Sequence, residues 1–221
     1  MSGILNSSIG RKFAMALSAL FLMFFLLQHF AINILSVFSE NAFNEASHFM
    51  GTFWAVQFIL QPILIIGIVF HFTMGIILEL KNRKARQVSY AKNNGNANST
   101  WMSRNMIWTG LLIEAFLIVH MSQLWWHEMM VKYINPQIED PTRYYHELVE
   151  HFQSPIIVAV YVVAFVFLAL HLLHGFNSAF QSIGANNKYT KALKGVSKVY
   201  SIGIPAGFIF IALFHHFSGT H

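Results

Sequence analysis

Five stretches of this chain are long and apolar enough to cross a bilayer, and that feature restricts the fold more than any other. A helix needs about 20 residues to span the hydrocarbon core. The stretches cover residues 13–38, 53–80, 106–126, 155–180 and 199–217. Inside lipid every backbone N–H and C=O must be satisfied by the chain itself, so long uninterrupted apolar runs cross as helices. Composition agrees, since 55% of the 221 residues are hydrophobic and only 10% are charged, which lies outside soluble usage. The expected fold is all-α, with residues 1–221 forming a single membrane domain whose first four spans make a bundle. The first stretch is too long for a signal peptide and no small-residue cleavage site follows it, so it reads as a retained span. Ser154-Pro155 supplies an N-cap and a first-turn proline to the fourth helix. Pro62 and Pro205 fall inside the second and fifth, where kinks are expected.

The charges between the spans separate by side. Arg11 and Lys12 precede the first span, Lys81, Arg83, Lys84, Arg86, Lys92 and Arg104 link the second to the third, and Lys188, Lys191, Lys194 and Lys198 link the fourth to the fifth. The other two loops hold only Lys132 and Arg143 as bases, against Glu40, Glu45, Glu128, Glu139, Asp140, Glu147 and Glu150. Basic loops stay in the cytoplasm, so the N-terminus is expected inside and the C-terminus outside. The net charge of +5 therefore reflects topology. It suits anionic lipid or a cytoplasmic partner and argues against nucleic acid. "NNGNANST", Asn93 to Thr100, reads as a flexible polar loop, and "NAFNEASHFM" as a short interfacial helix between the first two spans. The chain has no cysteine, which excludes disulfides, covalent c-type haem and a cysteine-ligated cluster within it.

Polar side chains at membrane depth are costly and face a partner, a cofactor or water. Gln28, His29 and Asn33 in "LLQHFAIN" pose that question, and three more histidines lie at similar depths. A helix rises 1.5 Å per residue. His29 lies 16 residues beyond Phe13, or roughly 24 Å along its helix, and His120 lies 14 beyond Met106, so both sit toward the outer leaflet. His71 and His171, on helices running inward, sit toward the inner one. One histidine on each of four successive helices, matched in depth by twos, reads as two bis-histidine sites stacked across a bundle. Zinc needs four ligands and two imidazoles under-coordinate it; haem supplies four equatorial nitrogens and needs two axial ones. A flat macrocycle also needs small neighbours. Gly67 and Gly75 flank His71 at four-residue spacing, Gly175 follows His171, and Ser18 and Ser36 share the His29 face. His174, one turn beyond His171, competes with it as a ligand. An interhelical hydrogen bond is the alternative role for any single one of these histidines. His48, His127, His146, His151, His215, His216 and His221 read as ordinary histidines of loops and membrane edges.

Taken with "AFNEASHFM", "FHFTMG", "IVHMSQLW" and "HLLHGFNSAF", these residues resemble the di-haem cytochrome b membrane anchor of the succinate dehydrogenase/fumarate reductase (succinate:quinone oxidoreductase) family, in its single-subunit five-helix form. The resemblance spans nearly the whole chain and rests on the order, spacing and topology of short motifs. It implies that His29 and His120 are the axial ligands of an outer haem b and that His71 and His171 hold an inner one. His171 is selected over His174 because the family ligand stands four residues before a glycine. The resemblance further implies a bacterial inner membrane, cytoplasmic flavoprotein (FAD) and iron–sulfur partner subunits, and electron transfer from succinate to a quinone such as menaquinone. The chain alone would not oxidise succinate. Two other readings stay open: a bis-histidine cytochrome b anchor of another quinone-linked dehydrogenase or hydrogenase, and a haem-free transporter with a histidine proton relay.

Two features bear on the quinone and proton chemistry. Some di-haem fumarate reductases resemble this chain but carry a glutamate two residues before the fourth ligand, where this chain has Ala169. Glu114 is instead the one carboxylate in the middle of a span, Glu79 lying at the end of the second, and it is suited to an interhelical hydrogen bond or to a proton or propionate role. A quinone head group needs hydrogen-bond donors beside an apolar slot. The candidates near the outer haem are His48, Trp54, Gln57, Trp125 and His127, against the alternative of an interfacial aromatic belt.

Overall fold

The Ser7 side chain accepts a hydrogen bond from Gly10 N at 2.9 Å, and that cap starts the first long helix, α1, Ser8–Asn33. One further turn, Leu35–Phe38, extends it. The computed structural model describes residues 7–85, 104–134, 140–185 and 190–218. The Asn93–Thr100 loop, Arg86, Lys92, Lys188, Glu139 and His221 lie outside the described residues. Ser39 caps α2, Glu40–Thr52, by accepting from Ala42 N at 3.2 Å, and α2 is the short helix expected between the first two spans. A π-helical turn, Val56–Leu60, leads into α3, Gln61–Ala85. Pro62 stands just past that wide turn, so the backbone absorbs its missing N–H there.

The third span, α4, begins as Met106–His120 and continues through a π turn Met121–Trp125, an α turn Trp126–Met129 and a second π turn Met130–Ile134. A helix absent from the sequence reading follows: α5, Arg143–His151. Asp140 Oδ1 receives Thr142 N at 2.8 Å and Thr142 Oγ1 at 2.7 Å before it. Those Thr142 hydrogen bonds hold the Asp140 carboxyl below its usual range. The last two helices are α6, Pro155–Ser182, and α7, Thr190–Ser218, which runs through Pro205.

Among the described residues the chain is entirely helical, and five helices are long and apolar enough to cross a membrane. All five overrun the expected spans at one or both ends. α1 starts five residues early, α7 nine early, and the α4 segment ends eight late, compared with 13, 199 and 126. Hydropathy marks where lipid begins, whereas a helix satisfies its own backbone and continues into the polar interface.

α1 packs on α3, α6 and α7, α4 packs on α6 and α3, and α7 lies along α6. One core, at the end carrying α2 and α5, contains Phe43, Leu148, Phe152, Tyr161, Phe165 and Phe208. A second, toward the N-terminus, contains Ala16, Met23, Leu172, Phe176 and Ala179. Large side chains such as Phe24, Phe58, Ile66, Ile118, Ile156 and Val199 remain exposed, as expected where lipid is the solvent. The two ends are hereafter the acidic end (α2, α5) and the basic end (Arg11, Lys12, Lys81, Arg83, Lys84).

The acidic end is tied down by charge. Glu128 pairs with Lys132 at 2.7 Å and with Arg143, Arg143 pairs with Glu147 at 2.7 Å, and Lys132 donates to the Gly51 carbonyl. This joins α2, α4 and α5. Burial works against the Arg143 charge, but its bonds to Glu128 and Glu147 carry its pKa upward. Tyr144, beneath the guanidinium at 4.5 Å, is pushed up to about 12 by burial and the nearby Glu128 charge. His215 is 1% exposed and contacts Ser36 Oγ at 2.9 Å, so it is a core contact between α7 and the end of α1 rather than an edge histidine.

Candidate functional site

The four deep histidines meet in twos. His29 on α1 faces His120 on α4 with ring centres 5.9 Å apart and planes at 86°. His71 on α3 faces His171 on α6 with ring centres 6.5 Å apart and planes at 67°. It is His171, not His174, whose ring packs on His71.

Three helices measure the separation of the pairs. On α1, Ser18 bonds His71 and lies eleven residues from His29. On α4, Thr109 bonds His171 and lies eleven residues from His120. On α6, Tyr161 bonds His120 and lies ten residues from His171. At 1.5 Å per residue each gives about 15–17 Å between levels.

Three of the imidazoles are held through Nδ1. His71 Nδ1 lies 3.0 Å from Ser18 Oγ, His171 Nδ1 3.1 Å from Thr109 Oγ1, and His120 Nδ1 3.2 Å from the Tyr161 hydroxyl. His29 differs: the Asn33 amide Nδ2, which can only donate, lies 3.4 Å from His29 Nδ1 and also donates to the His29 carbonyl at 2.8 Å, so this longer contact offers Nδ1 a donor rather than an acceptor.

The hydroxyls offer an acceptor to each ring of the basic-end pair. Ser18 Oγ donates to the Met15 carbonyl at 2.8 Å and Thr109 Oγ1 to the Met106 carbonyl at 2.9 Å. A hydroxyl has one hydrogen, so while it lies on that carbonyl the oxygen accepts from the imidazole. In that arrangement both rings are Nδ1–H tautomers with Nε2 lone pairs, the form that binds a metal through Nε2.

The donor set fits a haem axial pair. Metal–imidazole bonds are about 2.0–2.1 Å, so two rings trans on one metal have centres about 6.2 Å apart. The distances of 5.9 and 6.5 Å bracket that value. Among the described residues no three His, Asp or Glu side chains converge as a metal-ligand set, so each site offers two imidazoles, as haem requires and zinc does not.

The small residues are distributed less evenly. A Cβ on Gly67 would meet Phe21 at 2.8 Å, one on Gly75 would meet Met15 at 3.7 Å, and one on Gly175 would meet Met106 at 3.3 Å. Space beside these glycines is filled by rotatable side-chain ends. Gly110 was not singled out in the sequence, yet its α-carbon faces His171 Cε1, 3.5 Å from an added Cβ. Ser18 serves the basic-end pair and Ser36 serves His215, so neither stands beside His29. Glu114 is half-buried and pairs with no described residue. Gln28 donates to Met50 Sδ on α2 at 3.5 Å.

Two of the five quinone candidates come together. Gln57 and Trp125 line a cleft of about 230 Å³ between α3 and α4, with Gln61, Phe58, Ile65 and Tyr133. Tyr133 donates to Gln57 Oε1 at 3.0 Å and Trp125 Nε1 to Gln61 Oε1 at 3.5 Å. The amide NH2 groups of both glutamines remain as donors beside an apolar wall. All three π turns contribute to this cleft or border it, and such turns recur at functional sites. The other three candidates lie elsewhere: Trp54 is 61% exposed beside Phe53, His127 faces Glu147 at 4.0 Å, and His48 packs near Tyr144 with a buried, unpartnered Nδ1. Compared with protein-family models, curated proteins and solved structures, the chain matches none.

Proposed function

We propose that this chain is the di-haem cytochrome b membrane anchor of a bacterial succinate:quinone oxidoreductase. The observation that carries the reading is the pairing of four intramembrane histidines at two levels, one from each of four helices. His29 and His120 would hold one haem b, and His71 and His171 the other. When bound, haem supplies one-electron redox chemistry at each level. The chain's part is to place the two ligand pairs about 16 Å apart on a common bundle axis and to exclude water around them.

The basic end is read as cytoplasmic. It would dock a flavoprotein with FAD and an iron–sulfur subunit, which carry out succinate chemistry. Electrons would run from the basic-end pair to the acidic-end pair and on to menaquinone or another quinone. The cleft of Gln57, Gln61, Trp125 and Tyr133 lies on the acidic side and offers amide donors at an apolar wall, the features that a quinone head group needs.

The test is purification of the tagged chain from its native membrane. Co-purification of a flavoprotein and an iron–sulfur protein, with dithionite-reducible b-type haem, is the expected result. Haem with a different electron-donating partner would redirect the reading to another quinone-linked anchor. A folded chain with no Soret band would reject it.

A further inference from the structure

The hydroxyl of Tyr161 stands between two imidazoles, 3.2 Å from His120 Nδ1 and 3.0 Å from His151 Nε2. Tyr161 is 2% exposed and its ring is packed edge-on by Phe116, Phe152 and Phe165. A phenol has one hydrogen, so it can donate to only one of the two rings. If the chain runs from His151 to His120, then His120 Nδ1 accepts, its Nε2 carries the hydrogen, and the ring cannot bind a metal. If it runs the other way, His120 Nδ1–H donates to Tyr161, Tyr161 donates to His151 Nε2, and His120 Nε2 is bare. His151 lies on α5, outside the spans, where burial lowers its pKa and favours the neutral ring, which has one bare nitrogen. The shorter contact is the one to His151.

We propose that Tyr161, backed by His151, is the positioning residue that holds His120 in its metal-binding tautomer and sets that ring's strength as a donor. The inference rests on the haem-binding reading above. It also predicts an asymmetry. The basic-end pair is anchored by Ser18 and Thr109, whose hydrogens end on carbonyls of their own helices. Tyr161 serves only the other level. Removing the acceptor from Nδ1–H makes an imidazole less electron-rich, which favours ferrous over ferric iron and raises the potential.

The experiment is redox titration of the haem bands, with electron paramagnetic resonance of the ferric forms, on the full chain in its native complex. Wild type is compared with Tyr161→Phe and His151→Ala, and His71→Ala identifies which signal belongs to the His29–His120 level. Tyr161→Phe keeps the ring and its packing. The expected result is an upward shift in the midpoint potential of the His29–His120 haem and a change in its ferric signal, with the other haem unmoved. His151→Ala shifts the same haem in the same direction by less. Loss of that haem alone from Tyr161→Phe also supports the assignment. Two haems with unchanged potentials in Tyr161→Phe, or equal changes in both, overturn it while leaving the functional reading intact. A wild-type chain without haem overturns both.

Discussion

The two histidine pairs are built from the same side chain and differ in what stands behind it. At the basic end, His71 and His171 lean on hydroxyls whose own hydrogens return to carbonyls three residues back. Each of those networks ends within one helical turn. At the acidic end, His120 leans on Tyr161, which reaches His151 on α5, while His29 has only a long contact with Asn33 in its own helix. The first pair is closed and symmetric. The second is open toward the capping helices and unequal in its two halves. Partners behind a metal ligand tune its affinity and potential, so equal ligands need not give equal haems.

The largest effect that can break this comparison comes from the ligands. Removing His29 or His120 as alanine should abolish one haem, and removing His71 or His171 the other, read from haem content per chain. If every variant loses both haems, the levels are not independent.

The next effect sharpens it. Thr109→Val and Ser18→Ala each strip the acceptor from a basic-end ring. Loss of such a partner weakens metal affinity by about 10- to 100-fold, so that haem should wash out first on dilution in detergent. Asn33→Ala, at a 3.4 Å contact, should change retention far less. Equal losses in all three would remove the contrast between short and long anchors.

Direction is a third handle. If the basic end is cytoplasmic, electrons passing toward the acidic end move with a membrane potential that is worth about 2.3 kcal/mol per charge per 100 mV. Succinate:menaquinone activity in sealed vesicles of known orientation should then fall severalfold with an uncoupler. Unchanged or faster turnover would place the quinone beside the other pair.

The smallest effect lies in the cap. Arg143→Ala removes the bonds to Glu128 and Glu147 and should lower stability by about 1–3 kcal/mol, as loss of charged hydrogen bonds does. Both haems should remain. Loss of the His29–His120 haem alone would mean that the cap positions α5 for Tyr161.

The pairing of the histidines was legible because helical rise converts position into depth, and one polar residue per helix at matched depth is a sparse signal. The anchors were less legible: Ser18 reads only as a small residue on the His29 face, and nothing in the sequence singles out Thr109. Ser18 lies eleven residues before His29, and Thr109 eleven before His120. Eleven residues are just over three full turns, so each hydroxyl shares its histidine's face while standing at the other level, beside the other pair. A helical wheel shows the face and hides the depth. Tyr161 offered no such signal, because its partners come from α4 and α5, and α5 is a nine-residue polar helix with little to mark it. The π turns around the cleft of Gln57 and Trp125 depend on how α3 and α4 pack, which local preference does not encode. Helix ends were missed for a simpler reason, since polar residues continue a helix beyond the lipid that hydropathy detects.

The central claim is that each histidine pair holds one haem, and haem stoichiometry tests it most directly. The full chain would be purified with its complex, its haem extracted and counted against polypeptide, and the count repeated in His71→Ala and His120→Ala. The account predicts two haems b per chain in the wild type and one in each variant, the survivors differing in potential. A wild-type count of zero, or a count unchanged in either variant, would contradict it.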